Sequence, residues 1–296
     1  MKKILFCGCH TGGILALNYL LKSDFEITCI LCLSPEQGKK YSIAGYFDYT
    51  NIAKENNIPF YYPDQYDLKT KKDIDFFKEG KFDLLIQGGW QRLFPKEVIN
   101  QLSIGALGLH GSSDPLPKGR GRSPMNWSII ENRKRFLMHL FLIDQGTDSG
   151  DIIDIYDFDI CSEDDIETMY IKYNISYMEL LKRNLNNIIN EKFKLIPQIG
   201  IPSNYPKRTP KDGIIDWEEM DIEYINRLIK SVTYPYPGAF GKVSNKKIRI
   251  WKSRIFDTRI RYDEKKYGEI VYRFESKLII KARGGLLLLD RWDWEE

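Results

Sequence analysis

A long apolar run, a strong excess of either charge and an even set of cysteines are all missing from this chain of 296 residues. No stretch is long enough to span a bilayer, and Lys2 and Lys3 lead straight into a short strand pattern instead of a secretory signal, so a cytoplasmic protein with no membrane partner is expected. The 44 Lys and Arg against 41 Asp and Glu leave a formal net charge of +3. Such balance argues against a nucleic-acid partner, because a dedicated binder of phosphate backbones carries a much larger basic excess. A small anionic ligand stays compatible with it. The five cysteines are odd in number, and Cys7, Cys9, Cys29 and Cys32 lie inside the apolar runs KILFCGC and ITCILCL. They are expected to be reduced and buried. Cys29 and Cys32 have the C-x-x-C spacing but neither flanking Gly or Pro nor a second pair, so no metal or redox site is expected. Nor is there a G-x-G-x-x-G dinucleotide fingerprint, a phosphate loop ending in Gly-Lys-Ser/Thr, an internal repeat or a low-complexity segment.

What is present reads as two domains, since the length exceeds that of a usual single domain and 43% of the residues are hydrophobic. From Lys3 onward, short apolar runs alternate with amphipathic stretches: KILFCGC, a helix over 13–22, EITCILCL, a helix over 43–57, IPFYY, a helix over 71–80, FDLLIQGG, a helix over 95–102, and IGALGLHGS. This alternation predicts an α/β fold with a doubly wound, mostly parallel sheet. FLMHLFLID and DIIDIYDFDI add two strands, and Ser162 with Asp165 three residues on predicts the start of a long helix over 162–193. The Pro- and Gly-rich stretch over 196–213 reads as the domain boundary. The expected domains are therefore residues 1–200 and 201–296, the second being one helix over 221–232 and a small antiparallel β unit.

In open parallel sheets ligands sit beyond the carboxyl ends of strands, which directs attention to the loops that follow them. GCHTGG after the first strand reads as either a ligand-side loop or a plain tight turn. The loop HGSSDPLPKGRGRSPMNW packs one His, three cations, three Gly and three Pro ahead of a helix start, with Ser123 as the expected N-cap and Pro124 at the first helical position. DQGTDSGD follows FLMHLFLI. His110 and Asp148 thus sit at the ends of separate strands, where a His and the carboxylate that orients it can converge. Lys118, Arg120 and Arg122, near a helix start, could meet a diphosphate; Arg120 could instead be structural, pairing with a carboxylate of the sheet edge.

These motifs, in this order, resemble the formyltetrahydrofolate-dependent formyltransferases, the group that holds the methionyl-tRNA and the sugar N-formyltransferases. The likeness runs from KILFCG through FDLLIQGGWQRLFPKEVI, H-x-S with LPKxRG and P-x-x-W, and DQGTDSGDII to NYPKRTPKDGIIDW, SVTYPYPGAF and IRIWKS. The R-T-P-x-D-G-x-I-D-W form is most similar to the sugar branch. The resemblance implies transfer of a formyl group from 10-formyltetrahydrofolate to the amine of a nucleotide-linked deoxyamino sugar for a surface glycan such as lipopolysaccharide. It further implies that His110 moves protons and stabilises charge on the formyl oxygen, that Asp148 orients it, and that Trp90, Arg92, Leu93 and Phe94 pack along the pterin. Ile143, Asp144, Gln145, Gly146 and Thr147 match the loop that reads the pterin edge. A homodimer through the C-terminal domain is the oligomer it allows.

Two departures stand out. The usual signature is Asn-x-His, with the Asn donating to the formyl oxygen, and here that position is Gly108. The loop after His110 is also two residues longer than the common form. Asn126, one turn into the following helix, and the backbone N–H groups of the longer loop are the candidates to replace the missing donor. The rivals are a methionyl-tRNA formyltransferase and a catalytically silent relative.

Overall fold

The computed structural model describes residues 2–43 and 45–295. In chain order its elements are β1 (Ile4–Gly8), α1 (Ile14–Leu21), β2 (Ile27–Leu31), α2 (Pro35–Lys40), α3 (Thr50–Glu55), β3 (Phe60–Tyr61), α4 (Lys71–Gly80), β4 (Leu84–Gly88), α5 (Lys96–Ile99), β5 (Gly105–Ser112), β6 (Arg120–Gly121), α6 (Pro124–Ile130), β7 (Arg135–Leu142), β8 (Ile152–Asp159), α7 (Ile166–Ile189), β9 (Asn204–Tyr205), α8 (Ile222–Val232), β10 (Ala239–Val243), β11 (Lys246–Asp257), β12 (Ile270–Phe274), β13 (Lys277–Ala282) and β14 (Gly285–Trp294).

Seven strands form one sheet in the order β3-β2-β1-β4-β5-β7-β8. From β3 to β5 every pair is parallel, while β7 runs antiparallel to β5 with His110 facing His139. All five residues of β1 are buried, as a parallel strand covered on both faces requires. At the sheet edge β8 alternates apolar and acidic residues and is only partly buried. Strand order reverses between β1 and β4, whose carboxyl ends meet at Gly8 and Gly88. That meeting point explains a glycine of the GCHTGG turn: a Cβ on Gly13 would lie 2.5 Å from the Gly88 carbonyl oxygen and 2.6 Å from the Tyr49 hydroxyl. Close approach of loop to loop demands the residue, which favours the plain tight turn.

The chain divides into two compact units, and the division is not a single cut. The first comprises Met1–Gly121, Leu137–Phe158 and Ile171–Asn204; the second comprises Arg122–Phe136, Asp159–Tyr170 and Tyr205–Glu296. In the second, β10 to β14 form a five-stranded antiparallel sheet in the order β10-β11-β14-β13-β12. The apolar stripe Ile222, Ile225, Ile229 and Val232 of α8, at helical spacing, joins the same core as Ile248, Ile250, Ile280 and Leu289 of that sheet. Strand β10, which lies in the Pro-rich SVTYPYPGAF region, was not expected.

Several local expectations need correction. Residues 43–57 do not form one helix: α2 starts earlier, at a Ser34–Gln37 capping box with Pro35 in the first turn, and α3 covers only Thr50–Glu55. Ala44, inside the expected span, lies outside the described residues. The long helix begins at Ile166, because Asp165 and Thr168 exchange backbone-to-side-chain hydrogen bonds of 3.0 Å and take over the capping role given to Ser162. Ser123 does precede α6, with Pro124 at its first position, yet its backbone is left-handed and its hydroxyl caps nothing. Cys7, Cys9, Cys29 and Cys32 are buried as expected and Cys161 is exposed; burial pushes the Cys29 and Cys32 thiols up to about 12, which keeps them protonated and inert.

Candidate functional site

The first unit brings His110 and Asp148 together. His110 lies two residues from the end of β5 and is 8% exposed. Its Nδ1 stands 3.4 Å from Asp148 Oδ2, and its Nε2 donates to the Gly119 carbonyl oxygen at 2.8 Å. Both ring nitrogens therefore face oxygen atoms. Asp148 holds a left-handed backbone at φ 51°, and its Oδ2 also accepts from the Gly121 N–H at 3.0 Å.

Behind the pair lies His139, which sequence inspection did not single out. It is fully buried on β7. Its Nε2 accepts from the Leu116 N–H at 3.3 Å and its Nδ1 donates to the His110 carbonyl oxygen at 3.2 Å, so one neutral tautomer satisfies both bonds. Burial pushes its pKa down to about 4. The only signal in the sequence was a polar residue in an otherwise apolar strand.

The loop after His110 spends its backbone donors on itself and its surroundings. Asp114 N donates to Ser112 Oγ, Leu116 N to His139, Lys118 N to Pro115 O and Arg120 N to Ser203 O, Gly119 N to Ser203 Oγ, and Gly121 N to Asp148. Asn126 is occupied as well. It is 2% exposed in the second unit and donates from Nδ2 to the Ser231 carbonyl oxygen at 2.7 Å, which ties α6 to α8. This bond uses one of the two amide hydrogens of Asn126. At Gly108, a Cβ would lie 2.6 Å from Phe141 Cζ and 2.8 Å from Ile143 Cγ1; the space of the usual Asn is filled by an aromatic ring.

Of the three cations, Arg120 pairs within the protein, but with the Gln198 amide and not with the expected carboxylate: Nη2 lies 2.6 Å and Nε 3.2 Å from Gln198 Oε1. Lys118 and Arg122 are exposed. At the carboxyl end of β4, Trp90 and Phe94 are buried and stacked 6.3 Å apart. Tyr66 meets Trp90 edge-on at 4.7 Å, and the Arg92 guanidinium lies over the Tyr66 ring at 4.6 Å. Leu93 is 52% exposed. The Trp90 indole N–H is buried and has no hydrogen-bond partner among the described residues, which suits a site completed by a ligand. Ile143 is partly buried, and Asp144, Gln145, Gly146 and Thr147 form an exposed turn in which Asp144 Oδ1 accepts from Gly146 N at 3.0 Å and Ser149 Oγ at 2.6 Å. Among the described residues there is no group of acidic, His and Cys side chains able to hold a metal, and no helix is long and apolar enough to cross a membrane.

The first unit thus holds a buried His, on a strand of a mostly parallel sheet, beside a carboxylate from a loop. The formyl transferase model matches residues 47–184 and the formyl transferase C-terminal domain model matches residues 207–296; the chain belongs to the formyl transferase family. It is 30% identical over 259 residues to the bifunctional polymyxin resistance protein ArnA of Wigglesworthia glossinidia brevipalpis, a match covering 86% of this chain and 38% of that protein's length. Its fold is similar to that of an N-formyltransferase from Helicobacter canadensis solved with folinic acid and dTDP-3-aminofucose, with a TM-score of 0.72 and 19% identity over 99% of this chain and 100% of that one. HypX from Aquifex aeolicus, solved with tetrahydrofolic acid, matches with a TM-score of 0.68 and 18% identity over 99% of this chain and 44% of that one. At those identities the two structures speak for the fold.

Proposed function

We propose that the chain transfers a formyl group from 10-formyltetrahydrofolate to the primary amine of a nucleotide-linked deoxyamino sugar destined for a surface glycan. The observation that carries this is the buried His110–Asp148 pair in a chain matched by both formyl transferase models. For the co-substrate, the unpartnered Trp90 indole N–H, the Trp90–Phe94 stack and the exposed 144–147 turn fit a flat, polar-edged pterin. The formyl carbon and the leaving nitrogen N10 come from that co-substrate. In the reaction the acceptor nitrogen bonds to the formyl carbon, the bond from that carbon to N10 breaks, the amine loses one proton and N10 gains one. His110 is placed to carry the proton, with Asp148 holding Nδ1. Once Nε2 has taken the amine's proton, it is the N–H that faces the charged formyl oxygen before that proton passes to N10. For this, Nε2 has to exchange the Gly119 carbonyl for the substrate.

A sugar acceptor is favoured over charged tRNA by the net charge of +3 and by the Helicobacter canadensis enzyme, which the chain matches along the full length of both. The filled space at Gly108 favours a second reading, a silent relative that binds without turnover. One experiment separates them: amino-sugar nucleotides and initiator methionyl-tRNA are offered with 10-formyltetrahydrofolate while tetrahydrofolate release is followed. Turnover with a sugar nucleotide, lost in His110→Ala and Asp148→Ala, supports the proposal. Turnover with tRNA alone replaces the acceptor, and binding without turnover establishes the silent relative.

A further inference from the structure

The stretch over 196–213 resembles a linker in composition, yet its first half is built into the site. Ile196 pairs with Ile152 beside β8 through two backbone hydrogen bonds. Two residues on, Gln198 turns its amide between the two loops that carry the His–Asp pair. Its Nε2 donates to the Asp148 carbonyl oxygen at 2.9 Å and to the Gly150 carbonyl oxygen at 2.8 Å. Its Oε1 accepts both Arg120 contacts, at 2.6 and 3.2 Å. Every polar site of the amide nitrogen is used, and donors and acceptor point to opposite loops.

The placement matters because of what flanks each contact. Arg120 sits between Gly119, whose carbonyl accepts from His110 Nε2, and Gly121, whose N–H donates to Asp148 Oδ2. On the other side, the backbone of Asp148 lies in the left-handed region, which Asp tolerates better than most residues with a Cβ. Gln198 grips the carbonyls of Asp148 and of Gly150, two residues beyond it. Ser203 adds to the hold, accepting Gly119 N at Oγ and Arg120 N at its carbonyl oxygen.

We propose that Gln198 is a positioning residue of the transfer reaction: it locks the Asp148 turn to the Arg120 loop and so sets the 3.4 Å approach of Asp148 to His110. This rests on the formyl-transfer reading above. Only an amide serves here, because a carboxylate cannot donate to the two carbonyls and a cation cannot accept from Arg120. Gln198→Glu is therefore the informative substitution, isosteric, retaining the Arg120 contact and losing the grip on the Asp148 turn.

The test compares Gln198→Ala and Gln198→Glu with wild type in two assays. In formyl transfer, kcat falls ~10- to 100-fold in both variants, the scale expected when a catalytic group is displaced by a fraction of an ångström to an ångström. The KM values for acceptor and co-substrate stay within about twofold, since no binding group is removed. The second assay needs no substrate. The chain has three histidines, so ¹⁵N-labelled imidazole spectra contain three ring systems, and His110→Ala identifies the one of interest. In both Gln198 variants the His110 signals move toward those of Asp148→Ala. The proposal is overturned if kcat stays within about twofold of wild type, or if the His110 signals coincide with wild type. Should Gln198→Ala fail to fold, Gln198→Glu carries both measurements; should no amine be formylated even by wild type, the spectra still decide whether Gln198 places Asp148.

Discussion

Restoring the residue that the family usually carries two positions before its catalytic His provides the sharpest test of how this site is built. In Gly108→Asn the new Cβ would lie 2.6 and 2.7 Å from Phe141 Cζ and Cε2 and 2.8 Å from Ile143 Cγ1, separations that no real Cβ sustains. Phe141 is 4% exposed, so its ring can move only by displacing neighbours in the core. Overpacking of this kind costs ~1 to 3 kcal/mol, and an amide without partners in that apolar setting adds ~1 to 3 kcal/mol. Gly108→Asn is thus expected to lose ~2 to 6 kcal/mol in urea unfolding, with no gain in turnover. Shortening the opposing ring isolates the cause. Phe141→Ala alone costs ~3 to 5 kcal/mol for the cavity, but combined with Gly108→Asn the loss is smaller than the sum by ~0.5 to 3 kcal/mol, because each substitution relieves the other. A Gly108→Asn variant within ~0.5 kcal/mol of wild type, or strict additivity in the pair, would refute the placement of the Phe141 ring and reopen the role of a side-chain donor there.

The depressed pKa of His139 gives stability a pH signature. Its ring stays neutral in the folded state down to about 4, against 6.5 when unfolded. The unfolded chain alone takes up that proton in between, so this stability is complete above pH 6.5 and declines as the pH falls toward 4, by up to ~3 kcal/mol. Denaturant midpoints measured across that window should carry a one-proton slope that disappears in His139→Asn. Asn126→Ala should destabilise the chain by ~1 to 3 kcal/mol, since it orphans the buried Ser231 carbonyl; a loss of turnover with unchanged stability would return Asn126 to the reaction. Lys118→Ala and Arg122→Ala, both at exposed positions, should raise the KM for the nucleotide sugar at low salt and leave kcat nearly unchanged. An unchanged KM would remove them from the acceptor site.

The parallel sheet was legible in the sequence because a strand covered on both faces has to be apolar, as the runs ILFC and LLI are. His110 and Asp148 were legible because the motif order that carries them runs nearly the length of the chain. Helix boundaries were less so: the expected span over 43–57 carries helical periodicity, yet Tyr46 bridges to His10 and Tyr49 packs into the core ahead of the short α3.

What the sequence determined by itself was the alternation of buried strands and helices, the family, and the two motifs that carry His110 and Asp148, since each of these is written in local pattern or in motifs. Tertiary structure alone decided which groups surround that pair. Gln198 lies 50 residues from Asp148 and 78 from Arg120, His139 meets His110 only through the antiparallel register of β5 and β7, and the occupant of the space beside Gly108 is the ring of Phe141, 33 positions away. Contacts of that kind leave no periodicity in the chain, because they depend on where the folded backbone carries a side chain and not on the residues beside it.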